Sequence, residues 1–566
     1  MHTEDSTGKL LPKVGEKESY GTFKKEKTDT FQLKGDRFFA VMCVVVTLLC
    51  ERLAYVSLSA NLILFCTSIL HMDSGYATTV SLVFTGTTSF APVIGGYIAD
   101  SVAGRFNTIL GASFIYILGM FLVPASGLDY EAVFGVQGDG TWYGLSDEWK
   151  MAFFLVGLAL IIIGIGGMQS NLGPFGAQQV RDLGPSTVQT FFNWYYWFGC
   201  VGSLVALIIV AYVEQEVSFV VGYGIAFGSI VVATVVLVAS RNRYIHISPS
   251  GSVMADTLGV CRQAKCWTFD TAREKNGGSH SEAMVDGVLA VLRILPVFFF
   301  VVFFMASFAQ MQSTYYLQSE RMDLRVRNFQ LPATMVNAFH IIAVMPLVPV
   351  LDRVVYPFLK KIRKHPSELQ RIGFGLFVAS LSVFVAGGVE ILRKQQLTGS
   401  ADHRQVLGRE TFNASSMSVF WQIPQFVLTG FGSAFVFIPG MEFAFSQAPE
   451  FMQGLVMGLF IMTNGFGSYL SEVLLIAVQV STESDSWFPN EMNNGKAENF
   501  FFLLGGIVFL SFLLFIPVAK CYKYKRILDQ EYEVTDRREG EETQLTNSDN
   551  ILQIEADDND IRDISL

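Results

Sequence analysis

Long apolar runs alternate with short polar stretches along almost the whole chain, and twelve of the runs have the length, about 20 residues, that carries a helix across a bilayer. They lie near 37–66, 78–99, 104–124, 151–172, 188–212, 217–239, 287–316, 329–350, 369–391, 417–445, 453–479 and 499–520. In lipid a backbone must satisfy its own hydrogen bonds, so each run is predicted to be a helix. The first 36 residues are polar and lysine-rich, with no cleavable signal peptide, which predicts a cytoplasmic N-terminus. The expected layout is a tail at 1–36, a six-helix half at 37–239, a central cytoplasmic loop at 240–286, a second six-helix half at 287–521 and a tail at 522–566. The fold class is therefore an all-α membrane protein of twelve transmembrane helices in two halves.

Charge fixes the expected orientation. The loop after span eight reads "DRVVYPFLKKIRKHP", and an excess of lysine and arginine marks the cytoplasmic side. Both termini and the central loop fall on that side. The loops at 391–416 and 480–498 then fall outside, and the first contains the chain's single N-x-S/T sequon, at Asn413, a candidate glycosylation site.

Composition agrees with a polytopic membrane protein. Hydrophobic residues make up 51% of the 566 and charged residues only 16%, against roughly a quarter charged in soluble domains. Much of the net charge of −10 lies after Arg526, in an acidic tail expected to be disordered, with no reading toward nucleic acid. Of seven cysteines, Cys43, Cys50, Cys66 and Cys200 fall in spans, Cys261 and Cys266 in the central loop and Cys521 just past span twelve. None falls outside, so no disulfide is expected, and no metal or cofactor site is legible. Cys521 could carry a palmitate. The absence of a "GxxxxGK[ST]" run excludes a P-loop motor. Twelve spans around a long central loop suggest a secondary transporter with a site between its halves.

Two charges stand inside span one, in "LLCERLAYVS": Glu51 and Arg52. Helix neighbours point about 100° apart, so they are expected to need partners from other spans. The intramembrane candidates are Glu442 in span ten, Glu472 in span eleven and His340 in span eight. A histidine titrates near neutrality and suits a proton relay, although a core histidine bonded to backbone or to Asn337 fits equally.

Several motifs carry a family resemblance. "GGYIADSVAGRFNTIL" between spans two and three resembles the signature of the major facilitator superfamily, with Asp100 and Arg105 in gating places. "CERLAY", "GIGGMQSNLGPFGAQQV", "FFNWYYWFGCVGSL" and "IPQFVLTGFGSAFVFIPGMEFAFSQAPEFMQG" resemble motifs of spans one, four, five and ten to eleven of the proton-coupled oligopeptide transporters. "QMQSTYYLQ" and "APEFMQGLVMGLF" are similar to the peptide–histidine transporter subgroup. The resemblance implies the major facilitator fold and proton-driven movement of histidine, di- or tripeptides or related solutes. It implies a cavity lined by Arg52, Tyr55, Asn61, Gln169, Asn171, Cys200, Gln310, Ser433 and Ser446. Proton coupling would fall to Glu51, His340, Glu442 and Glu472.

The departures bear on mechanism. Leu48 stands where the family has its first span-one acid, and Gln169 where it has a lysine. Those two groups neutralise each other in the family, so losing both dismantles a pair without stranding a charge. Cys200 replaces an asparagine, Ser433 a glutamate that meets the peptide amino terminus, Ser59 an arginine and Ser89 a tyrosine. An uncoupled facilitator or exchanger of a non-peptide solute, and a non-transporting sensor or scaffold, stay open as alternatives. Expected partners are the small solute, protons, the bilayer, and sorting or adaptor proteins through the tails. "EDSTGKLL" resembles an acidic dileucine signal, with Asp5 five residues before Leu10, and leaves endolysosomal and plasma membranes open.

Overall fold

In the computed structural model, each expected span is a helix. The structure describes residues 35–524 apart from 73, 129–145, 248, 250–258, 261, 263–268, 327–328, 332, 363–365, 398–403, 408–409, 483–486 and 488–491. The expectations about the N-terminal tail with its sorting signal, Cys261, Cys266 and the acidic tail lie outside the described residues. The helices of the first six spans are α1 (Gly35–Ala60) with α2 (Leu62–Ser68), α3 (Ser74–Ile98), α4 (Arg105–Ser126), α5 (Asp147–Gln178), α6 (Pro185–Val205) with α7 (Ala211–Glu216), and α8 (Phe219–Ala239). The last six are α9 (Glu282–Ala309) with α10 (Thr314–Glu320), α11 (Ala338–Val350) with α12 (Tyr356–Lys361), α13 (Glu368–Leu397), α14 (Ile423–Gln447), α15 (Gln453–Ser481) and α16 (Ala497–Cys521). Eleven helices among the described residues are long and apolar enough to cross a membrane. The place of the expected second span is taken by α3, which is not among those eleven.

Hydropathy located the spans but not their interruptions. Span one breaks at Asn61, span five passes through a π segment at Ala206–Val210, span seven through a 3-10 turn at Gln310–Gln312 and span eight through a π segment at Leu351–Val355. The basic stretch after span eight, expected as loop, is helical through Lys361. Span eight in turn starts later than expected. Residues Arg325–Val326 and Phe329–Gln330 pair as a short hairpin, and helix begins with the turn Ala333–Asn337. Leu331 precedes a proline in sequence, which disfavours the helical backbone there. A second hairpin, Arg404–Leu407 with Glu410–Asn413, sits in the loop carrying the sequon, where Asn413 is exposed.

Small residues set the closest packing. A Cβ added to Gly95 of α3 would lie 2.1 Å from Gly166 O of α5, so the two backbones touch directly. Gly104 holds φ +78 at the turn into α4, a conformation that favours glycine. Between the first six spans and the last six, α3 and α5 pack on α15, and α6 packs on α11 and α14.

Candidate functional site

The charges of span one meet each other. Arg52 Nε donates to Glu51 Oε2 at 2.6 Å and Nη2 to Oε1 at 2.8 Å. This corrects the expectation that each needs a partner from another span. The Cα–Cβ vectors do diverge, but the arginine stem is long enough to fold its planar fork back onto the neighbouring carboxylate. Packing holds that geometry. Span five crosses span one on two glycines: a Cβ on Gly202 would lie 2.4 Å from Leu49 O, and one on Gly199 would lie 3.6 Å from Arg52 Cγ. Glu51 is fully buried, whereas the Arg52 side chain keeps 24% of its surface exposed.

Around this pair the structure gathers part of the expected set. The Arg52 guanidinium lies 5.1 Å over the Tyr55 ring, which stacks on Phe84 of α3 at 6.3 Å. Gln169 Nε2 donates to Glu51 Oε1 at 3.3 Å, so the residue in the lysine's place still reaches the acid, as a neutral donor. Leu48 is buried. On α6, Tyr196 donates its hydroxyl to Ser433 Oγ at 3.0 Å, tying span five to span ten across the halves. Ser433 Oγ donates in turn to Gly430 O at 2.7 Å.

Other expected residues are engaged elsewhere. Asn61 donates to Glu214 at 2.6 Å. Asn171 donates to Gly95 O, Gly167 O and Ser170 Oγ, at the α3–α5 contact. Gln310 donates to Ser471 Oγ at 2.5 Å and to Ala306 O, and accepts from Thr314. Ser446 donates to Phe443 O and accepts from Gln447. His340 Nδ1 bonds Asn337 O, and its ring meets Phe308 edge-on at 5.9 Å. Glu442 pairs with Arg371 of α13 at 2.6 Å, both side chains nearly inaccessible. Glu472 is exposed on α15.

Sequence reading missed four acids and bases inside the bundle. Arg371 lies within the predicted ninth span, and its charge there was the signal. Glu214 falls in the gap between two predicted spans, and helix extends across it to Glu216. Glu390 and Arg393 straddle a predicted span end, yet form a fully buried pair at 2.7 Å that also takes in Gln318 and Asn493.

At the opposite end of the bundle from Asn61, Asp100 and Arg105, the residues expected to gate, bridge the halves. Asp100 Oδ2 accepts from Leu455 N at 2.9 Å. Arg105 lies 3.6 Å from Asp100 and donates to Gln178, Glu450 O and Gln453. Asn193 and Trp194 of α6 both donate to Asp352, at 2.7 and 3.2 Å.

Comparison with known proteins fits this arrangement. The chain is 29% identical over 541 residues to solute carrier family 15 member 3 of Rattus norvegicus, covering 86% of this chain and 92% of the relative. It is 28% identical to Protein NRT1/ PTR FAMILY 8.1 of Arabidopsis thaliana, covering 85% and 93%. In fold it is similar to the crystal structure of an auto-inhibited POT family peptide transporter, with a TM-score of 0.62 at 23% identity over 85% of this chain and 97% of that one. A family model described as "PTR2: POT family" matches residues 106–494, more than half of the length, so the chain belongs to the POT family.

Proposed function

We propose that the chain couples the entry of a proton to the movement of a small solute bearing a carboxylate, histidine and di- or tripeptides among them, by alternating exposure of a site between its halves at 37–239 and 287–521. Membership of the POT family makes it a multi-pass membrane transporter and not an enzyme. The observation that carries the reading is the bidentate Glu51–Arg52 pair, whose acid is inaccessible while its guanidinium keeps an open edge. An incoming carboxylate would take the remaining Nη1–Nη2 edge of the Arg52 fork, beside Glu51. Adding it with Glu51 still ionised would set two anions against one cation in a low-dielectric site, which is costly. A proton on Glu51 removes that imbalance and frees the fork. Proton and solute therefore enter together. The pair is also neutral on its own, which is the observation that supports an uncoupled exchanger as the second reading.

The test is uptake of labelled histidine and dipeptides by the protein in liposomes, with a pH gradient on or off. Coupling predicts accumulation only with the gradient. Glu51→Gln, which has the shape of a protonated acid, is expected to lose accumulation and keep exchange between preloaded pools. Arg52→Ala is expected to lose both while staying folded, because the substrate then has no cation to meet. Gradient-driven accumulation by Glu51→Gln would assign the proton to another group, and gradient-independent uptake by the wild type would favour the exchanger.

A further inference from the structure

The first six spans hold a second buried acid, which the Glu51–Arg52 exchange does not use. Glu214 lies in α7 and is 1% exposed. Its Oε1 accepts from the Ser57 hydroxyl at 2.5 Å, and its Oε2 from the Asn61 amide at 2.6 Å. These donors flank the interruption of span one: Ser57 is in the last turn of α1, and Asn61 is the residue between α1 and α2. The carboxylate thus clasps the break. On its other side α8 approaches so closely that a Cβ on Gly222 would lie 2.1 Å from Glu214 Cγ. From α8 the Tyr223 hydroxyl is fully buried and has no hydrogen-bond partner among the described residues. None of the ion pairs among the described residues includes Glu214.

A buried carboxylate without a cation has two ways to be satisfied. Ionised, it takes a charge-assisted bond on each oxygen, as here. Protonated, it loses the charge assistance of both bonds: the Asn61 amide then donates to a neutral carbonyl oxygen, and the new O–H keeps the Ser57 contact only if the serine hydroxyl turns round to accept. The two protonation states therefore differ by the charge assistance of two bonds across the break in span one. We propose that Glu214 is a proton-binding site distinct from Glu51, at which a bound proton loosens the clasp between α1 and α2. It lies at the end of the bundle opposite Asp100 and Arg105, so it would report pH on the other side of the membrane from that gate.

Hydrogen exchange of residues 57–68, corrected for intrinsic rates, tests this without transport. The full chain in lipid nanodiscs would be followed between pH 5 and 8. In the wild type, exchange is expected to rise as pH falls, with a single midpoint and an amplitude of about tenfold or more for two bonds that lose their charge assistance. Glu214→Gln is expected to exchange at the fast, low-pH level throughout, and Glu51→Gln to keep the transition. A transition surviving in Glu214→Gln, or absent from Glu51→Gln, overturns the proposal. Should Glu214→Gln fail to fold, Ser57→Ala leaves the acid in place and must move the midpoint; an unmoved midpoint overturns it equally.

Discussion

At the scale of single residues, what Arg52 can hold depends on which of its neighbours are charged. Its fork is occupied by one carboxylate, its face by Tyr55, and nothing basic stands beside it at position 169. A zwitterionic peptide brings an ammonium as well as a carboxylate, and Ser433, which the family resemblance puts where the ammonium is expected, is fully buried between the Tyr196 hydroxyl and Gly430 O. Losing one charge-assisted bond costs roughly 1.5–3 kcal/mol, or about tenfold to a hundredfold in affinity. Dipeptides are therefore expected to compete for uptake no better than histidine, and Ser433→Glu to improve dipeptides selectively, with no effect on acetylated ones. A competition panel on both forms checks this. High-affinity dipeptide uptake by the wild type, lost on acetylation and unchanged by Ser433→Glu, would show the ammonium to be met elsewhere. Sequence disclosed the charges of this site because any charge in an apolar run is conspicuous. It did not disclose that Arg52 folds back on Glu51, since side-chain torsions are settled by packing from α6, at Gly199 and Gly202, more than 140 positions away.

At the scale of helices, period and length were enough for most spans, because lipid demands an unbroken apolar helix and punishes anything else. What stayed hidden follows from the same physics. Asn61 and the 3-10 turn at Gln310–Gln312 leave backbone groups to be satisfied by neighbours, which no local pattern records. Arg371 was legible as a charge but not as a partner, because its acid lies on the next helix, 71 residues on. That pair joins α13 to α14 within one half and does not bridge the halves. Removing either member alone, as in Glu442→Ala or Arg371→Ala, leaves a buried charge uncompensated, at a cost of about 3–5 kcal/mol. The joint replacement Arg371→Met with Glu442→Leu is expected to be as stable as the wild type, since it removes both desolvation costs. Thermal unfolding of the purified variants checks the stability. Gradient-driven uptake retained by the double variant is the further expectation; its loss in a stable protein would make Glu442 a coupling acid.

At the scale of the whole molecule, the two sets of six spans are joined at the end that carries Asp100 and Arg105. Asp100 binds Leu455 N, Arg105 binds Glu450 O and Gln453, Arg181 pairs with Glu450, and Asp352 accepts from Asn193 and Trp194. All of these join the first six spans to the last six, and all must part when the site opens toward that end. Beneath them α3 and α15 meet backbone to backbone at glycines. A Cβ on Gly96 would lie 2.2 Å from Gly454 O, and one on Gly458 would lie 2.6 Å from Pro92 O. Backbone cannot yield as a flexible side chain can, so Gly96→Ala should strain this state and spare any state in which α3 and α15 separate. Overpacking costs about 1–3 kcal/mol, which on one side of a two-state equilibrium is a shift of about five- to 150-fold. Gly388 of α13 has nothing within 4 Å of its added Cβ, so Gly388→Ala serves as the control. Spin labels at the exposed positions Asn107 and Lys360, in a background lacking Cys261, Cys266 and Cys521, read the distance across this end. The longer-distance population should grow in Gly96→Ala and stay unchanged in Gly388→Ala. If both variants keep the wild-type distribution, the α3–α15 contact tolerates a methyl group and is not the surface on which the two halves close.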